Sequence, residues 1–319
     1  MAARRPVKAG LVKDLLRSAA RAHGRNQDRR QDQRNGDRTK ATHAIREEQE
    51  HASSLSPSAW IANCKFLLAV RSKPLIGVAG WTIRQEHAGL FLSHGTHLQR
   101  YASVFGAVEI NSSFYKPHRR ATYEKWSASV PGSFRFAVKM PKLLTHERAL
   151  EAPGADLPRF LEEVGGLGAK LGCLLIQLPP SLAYHPRTVE AFFHMLRRHH
   201  AGQVVLEPRH SSWFTTAAND RLDAHRVARV IADPPCDPSG DEAGGWPGIS
   251  YFRLHGSPVM YHSSYDDGYL ERLASRLSKT AGAEAVWCIF DNTARGAATM
   301  NALSISANPP VIAARGAKK

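Results

Sequence analysis

From Leu75 onward the chain alternates short apolar runs of four to eight residues with stretches whose apolar positions recur at helical spacing. The runs are 75–81, 107–111, 134–140, 173–178, 204–209, 227–233, 250–255 and 285–292. Between them, 97–105, 122–130, 157–169, 188–200, 219–226, 269–281 and 298–306 read as helices. The sixth connection, the Pro/Gly-rich 234–248, carries no helical pattern. Strands that are apolar on both faces and separated by helices specify a parallel sheet covered on its outside. Eight such units close most simply into a single (β/α)8 TIM-like barrel spanning 74–308, and 319 residues leave room for that fold plus extensions. An open doubly wound sheet is disfavoured. The first run ends in Gly77-Val-Ala-Gly80-Trp81, which puts an indole where a dinucleotide-binding glycine belongs. Neither a Walker A loop nor a G-x-S-x-G elbow occurs.

The beginning of the chain is different. Residues 1–73 are predicted to be a disordered basic tail and linker, because repeated Arg, Asp, Gln and Asn offer too little apolar surface to offset chain entropy. Within it, 11–21 has the pattern of a short basic amphipathic helix, 53–58 is a Ser/Pro linker and 60–70 is an apolar segment. Residues 309–319 form a C-terminal tail.

Charge changes this picture less than its size suggests. Of the net charge of +15, the first 73 residues hold 16 Lys or Arg against 7 Asp or Glu, leaving 27 against 21 for the rest. A nucleic-acid partner would therefore act through 1–73, whereas the mildly basic body suits a small anionic ligand. Cys64, Cys173, Cys236 and Cys288 are scattered without a C-x-x-C pair, which points to a reducing cytoplasm and away from thiolate metal sites. Membrane crossing is not expected: the longest apolar candidate, 59–70, is interrupted by Asn63 and Lys65 and is shorter than the roughly 20 residues a span needs. Oligomeric state is not legible.

Candidate chemistry gathers where the runs end. In order, the ends carry Trp81; Glu109, Asn111 and then Tyr115; Lys139 and then His146; Gln177; Glu207, Arg209, His210 and then Trp213; Asp233; Arg253 and His255; and Asp291 with Asn292. Polar residues at the C-terminal ends of parallel strands are where such folds place their sites. Glu109/Asn111, Glu207/Arg209 and Arg253/His255 are each two apart, so each pair shares a strand face. Lys139, Glu207 and His255 are the expected proton carriers. Arg209 and Arg253 suit a bidentate grip on carboxylate or phosphate, Asn111, Gln177 and Asn292 orient hydroxyls or carbonyls, and Trp81, Tyr115 and Trp213 offer an apolar wall. His146 and Asp233 complete the candidate lining. No cofactor is expected. A divalent metal on Glu109, Glu207, Asp233 and His255 is the weaker reading, since Lys139 and two arginines already supply positive charge.

The same residues carry a resemblance. From Ile76 to about Leu303 the chain closely resembles the YecE-like family, a domain of unknown function. The matching stretches include Gly80-Trp81, Val108-Glu-Ile-Asn-Ser-Ser-Phe-Tyr115, Phe134-Arg-Phe-Ala-Val-Lys139, Leu171-Gly-Cys-Leu-Leu-Ile-Gln-Leu-Pro-Pro180, Glu207-Pro-Arg-His-Ser-Ser-Trp213, Tyr251-Phe-Arg-Leu-His-Gly256 and Phe290-Asp-Asn292. Lys-Pro-His after Tyr115, and Ala79 before the opening Gly-Trp, depart from the family pattern. The resemblance implies a TIM-like barrel and no particular reaction. The expectation is an enzyme acting by acid–base chemistry on a phosphorylated or carboxylated sugar-like ligand. The alternatives are a nucleic-acid-binding or nucleic-acid-processing protein and a non-catalytic sensor.

Overall fold

The computed structural model describes residues 73–280 and 283–307. The tail, helix, linker and apolar segment read at 1–70, and the tail at 309–319, lie outside the described residues. Each apolar run becomes a strand: β1 (Leu75–Val78), β2 (Ala107–Ile110), β3 (Arg135–Lys139), β4 (Leu171–Gln177) and β5 (Gln203–Glu207) come first. The sixth run yields β6 (Val227–Arg229) and β7 (Ile231–Asp233), and after the two-residue β8 (Gly244–Gly245) come β9 (Ile249–Leu254) and β10 (Ala285–Phe290). Two sheets result, with orders β1-β10-β9-β7 and β2-β3-β4-β5-β6-β8, and every pairing except β6–β8 is parallel.

The sixth run differs from the single strand its pattern predicts. It changes sheets at Val230, whose amide donates to Leu206 O at 2.9 Å, so β6 lies on β5 while β7 lies on β9. The first run also stops early. Gly80 turns the chain at a φ of 86° and donates to Glu109 O at 2.8 Å, and the Ala79–Glu109 bridge sets β1 beside β2.

The connections are α1 (His97–Ala102), α2 (Ser112–Tyr115), α3 (Arg120–Ala128), α4 (Asp156–Val164), α5 (Pro186–His199), α6 (Thr216–Ala224), α7 (Asp267–Lys279) and α8 (Ala297–Ala307). Their starts are encoded locally. Thr96 and Gln99 form a capping box on α1, Asp266 accepts from Tyr269 N at 2.7 Å, and Pro186 opens α5 with its φ already set. Helix α5 buries Val189, Phe192, Phe193 and Leu196, the i, i+3, i+4, i+7 stripe of a one-sided helix. Each such side chain contributes about 1.5–3 kcal/mol of transfer free energy.

Strand alternation then divides the core. Val108, Ile110, Val138, Leu174, Ile176, Val204 and Leu206 belong to the layer beneath the helices. Ala107, Ala137, Leu175, Val205, Tyr251 and Ile289 form a second, inner cluster to which both sheets contribute. Close approach inside it depends on Gly172, where a Cβ would stand 2.3 Å from the Trp287 ring.

Candidate functional site

Two residues beyond each inner apolar position, the same strand face turns polar. Ala107, Ala137, Leu175, Val205, Tyr251 and Ile289 are followed by Glu109, Lys139, Gln177, Glu207, Arg253 and Asp291. A further step of two gives Asn111, Arg209 and His255. The period of two carries the sequence from a dry floor to a charged layer and then to a rim.

Arg253, fully buried, is the centre of the charged layer. Its Nε and Nη2 grip Glu109 in a bidentate pair at 3.0 and 2.7 Å, Nη2 also meets Asp291 at 3.0 Å, and Nη1 meets Glu207 at 3.0 Å and Gln177 Oε1 at 3.5 Å. Every N–H of the guanidinium is engaged, so Arg253 organises the layer and keeps no donor for a ligand. Tyr251, one step below, donates its hydroxyl to Glu109 at 2.9 Å. Burial opposes ionisation of Glu207, but Arg209, Arg253 and His255 overcome it and hold the carboxyl well below the usual range. Asp291 follows the same logic: burial pushes it up, and Arg253, His255 and Lys139 bring it down further.

His255 joins the rim to this layer. Its Nε2 lies 2.8 Å from Glu207 Oε1 and 2.6 Å from Arg209 Nη2, and its Nδ1 lies 3.1 Å from Asp291 Oδ2. Arginine can only donate, so Nε2 must accept where it meets Arg209, whereas donation to Glu207 needs a proton on that same nitrogen. A second proton would turn Nε2 into a donor toward Glu207 and break the Arg209 contact. The ring thus has two hydrogen-bonded states, as a proton carrier requires. Tyr261, at a φ of 66°, sets its ring edge-on at 5.6 Å from the imidazole and covers it.

Lys139 is the exception in the layer. Its Nζ sits 4.1 Å over the Phe114 ring, and among the described residues it has no hydrogen bond or ion pair, although 6% of the residue is exposed. Burial and the Arg253 charge lower its pKa to about 8, against the pull of Glu109, Glu207 and Asp291. The three carboxylates act on it through space, while their bonded contacts go to other groups. Its carbonyl is held by Ser113 Oγ at 2.6 Å, which fixes the strand end.

The remaining candidates divide. His146, on a π-helical turn (Leu143–Glu147), bonds Thr145 Oγ1 at 2.9 Å and meets the edge of Phe114 at 4.9 Å, so it stands next to Lys139. Burial and Lys139 lower its pKa. Asn111 Oδ1 is buried without a partner. Asn292 spends its amide on Ser263 O and Asn301 Oδ1 at 2.8 and 2.9 Å, anchoring the loops and leaving its own Oδ1 free.

Five residues stand apart from the network. Asp233 turns away and accepts from the Tyr265 hydroxyl at 2.8 Å. Trp213 is 1% exposed with its indole N–H given to Leu182 O at 2.9 Å, which leaves it no face for a ligand. His210 accepts from Ser212 N at 3.2 Å and caps a short turn. Trp81 packs edge-on against Trp126 at 5.0 Å. Tyr115 is 76% exposed and rests on Phe114.

The four residues of the metal reading are not brought together: Arg253 lies between Glu109 and Glu207, and Asp233 turns to Tyr265. Among the described residues no group of three or more His, Cys, Asp or Glu side chains is placed to hold a metal ion.

Tyr251, Phe114, Tyr261 and a defined role for Asp291 were not read from the sequence. Tyr251 had a signal, its place two residues before Arg253, which was hidden by an aromatic that also suits a strand. Phe114 was eclipsed by Tyr115, because a four-residue helix gives no periodicity to say which ring points inward.

These are the features of an α/β protein built on parallel sheets with a polar site at the strand ends. A family model described as protein of unknown function DUF72 matches residues 75–309, and the chain belongs to that family. It is 28% identical over 144 residues to the UPF0759 protein YecE of Escherichia coli (strain K12), covering 43% of this chain and 52% of that protein. It is 29% identical over 178 residues to the UPF0759 protein YunF of Bacillus subtilis (strain 168), covering 51% of this chain and 60% of that one. The chain thus spans about half the length of the curated relatives it matches. The YecE-like resemblance read from the motifs holds. Two solved DUF72 family proteins share the fold. One, from Enterococcus faecalis V583, has a TM-score of 0.62 at 21% identity over 74% of this chain and 95% of that one. The other, from Thermotoga maritima MSB8, has a TM-score of 0.60 at 24% identity over 74% and 98%.

Proposed function

We propose that the two sheets are parts of one closed (β/α)8 barrel whose C-terminal face binds a small phosphorylated or carboxylated, sugar-like ligand. In this reading Lys139, Glu207 and His255 move protons on that ligand. Closure is supported at both seams, by the run that pairs through β6 with β5 and through β7 with β9, and by the Ala79–Glu109 bridge. The observation that carries the ligand reading is the nearly buried ammonium of Lys139, unpaired among the described residues, beside a network whose other charged groups are bonded to one another. Arg253 and Arg209 face Glu109, Glu207 and Asp291, and Lys139 is the remaining cation of the layer, without a contact partner among the described residues. An anion entering the mouth finds that cation available, with Arg209, 10% exposed in its side chain, at the rim. Glu207, held ionised, and His255, with two hydrogen-bonded states, are the paired acceptor and carrier.

Thermal unfolding with a panel of sugar phosphates and sugar acids tests this. A ligand at about 100 times its Kd adds roughly 2.7 kcal/mol and raises Tm by several degrees. The rise is expected in the wild type and is lost in K139M and R209Q. Equal rises in all three proteins, or no rise with any compound of either class, would overturn the reading.

A further inference from the structure

The acid–base role does not explain why Lys139 is kept out of every ion pair. Glu109, Glu207 and Asp291 all influence its charge, yet Glu109 and Glu207 spend both oxygens, and Asp291 its Oδ2, on Arg253, Arg209, His255 or Tyr251. A lysine present only for charge balance would bridge one of them, as Lys142 does with Glu147 at 3.4 Å on the surface. The Phe114 ring faces the amine from one side. A second feature lies on the next strand. Ile110 is registered with Val138, so Asn111 follows at the same strand height as Lys139, and its Oδ1 is buried and accepts no hydrogen bond among the described residues. An amine without a bonded counter-ion at the same strand height as an acceptor without a donor matches the needs of one chemical event, the addition of an amine to a carbonyl group, which creates a hydroxyl beside the nitrogen.

We propose that Lys139 is an attachment point for an aldehyde or ketone ligand, bonding its Nζ to the carbonyl carbon to form an imine. The proposal rests on the strand-end face being a ligand site and names the reactive group of what that site takes. Lys139 first releases a proton. Its lone pair then forms the C–N bond as the carbonyl π pair moves to oxygen, and that oxygen takes up a proton. The resulting hydroxyl donates to Asn111 Oδ1. The hydroxyl then leaves with a proton as water while the nitrogen loses its second hydrogen and the C=N bond closes. One water is lost overall, and no oxidant or reductant takes part. The surrounding carboxylates stabilise the protonated imine without competing as bonded partners. The half-apolar setting of Phe114 slows its hydrolysis.

The full chain, incubated at neutral pH with glycolaldehyde or pyruvate and treated with sodium cyanoborohydride, reports the bond as an irreversible mass increment located by peptide mass spectrometry. Lys139 is expected to be labelled about tenfold faster than the other lysines of the chain, because more of it is unprotonated at that pH. Asn111→Ala should slow labelling at Lys139 severalfold without slowing labelling elsewhere. Labelling of Lys139 at the rate of surface lysines, or a rate indifferent to Asn111→Ala, would overturn the proposal. Inorganic phosphate separates the two readings. If phosphate raises Tm and Lys139 is not preferentially labelled, imine formation fails while the anion site stands. If neither occurs, both fail.

Discussion

Replacing Arg253 with methionine is expected to lower the unfolding free energy at neutral pH by about 3–5 kcal/mol, the cost of stranding buried charges. Three carboxylates lose a partner at once: Glu109 its bidentate grip, Glu207 its Nη1 contact and Asp291 its ion pair. The pH dependence identifies the cause. In the wild type, Glu207 and Asp291 titrate below their ordinary values of 4.5 and 3.8. Their stabilisation is complete above those values and is lost as pH falls through the lower folded-state values. Without Arg253 one of the charges that offset burial is gone, so these groups protonate at higher pH than in the wild type and the variant sheds part of its penalty in acid. Urea unfolding should therefore show a large difference between wild type and R253M near neutral pH and a smaller one near about pH 4. A loss independent of pH would mean that Arg253 acts by packing alone.

Lys139→Met is expected to act in the opposite direction. Lys139 has a folded pKa of about 8 against an ordinary 10.5. Below the lower value both folded and unfolded chains hold the proton, and the folded state carries the whole penalty. Between the two values the unfolded chain binds more protons, so wild-type stability rises with pH, and above the higher value the penalty is gone. The shift corresponds to about 3 kcal/mol, and methionine fills similar space over Phe114 without a charge. K139M should thus be about 2–3 kcal/mol more stable than the wild type at neutral pH and lack the alkaline rise, while losing the ligand response. Denaturant unfolding as a function of pH checks both features. A variant less stable than the wild type would show Lys139 to be a structural cation.

Much of this architecture was legible because parallel strands buried on both faces leave unbroken apolar runs, and all eight runs became strands. The candidate site was legible for a related reason: the same period of two ends in charged residues on four strands, Glu109, Lys139, Glu207 and the pair Arg253 and His255. Where the sequence fell short, a partner from a distant segment decided the outcome. Nothing in Val-Ala-Arg-Val-Ile-Ala-Asp marks Val230 as the residue at which a strand changes sheets, since both halves are equally apolar. Asp233 looks like any other strand-end carboxylate, and only the fold supplies the Tyr265 hydroxyl that draws it aside. Trp213 follows three polar residues and so reads as a rim aromatic, yet Leu182 O satisfies its indole in the core. Arg253 was read as a ligand grip because its five donors are visible in sequence and their five acceptors are not.

The central claim is that the charged layer is fully paired except at Lys139, and the titration of that one amine tests it most directly. In protein carrying 13Cε-labelled lysine, the resonance missing from K139R can be followed from about pH 6 to 11. A midpoint near about 8 is the predicted result. A midpoint together with the other lysines, near the ordinary 10.5, would place the amine in water or in an ion pair and contradict the account.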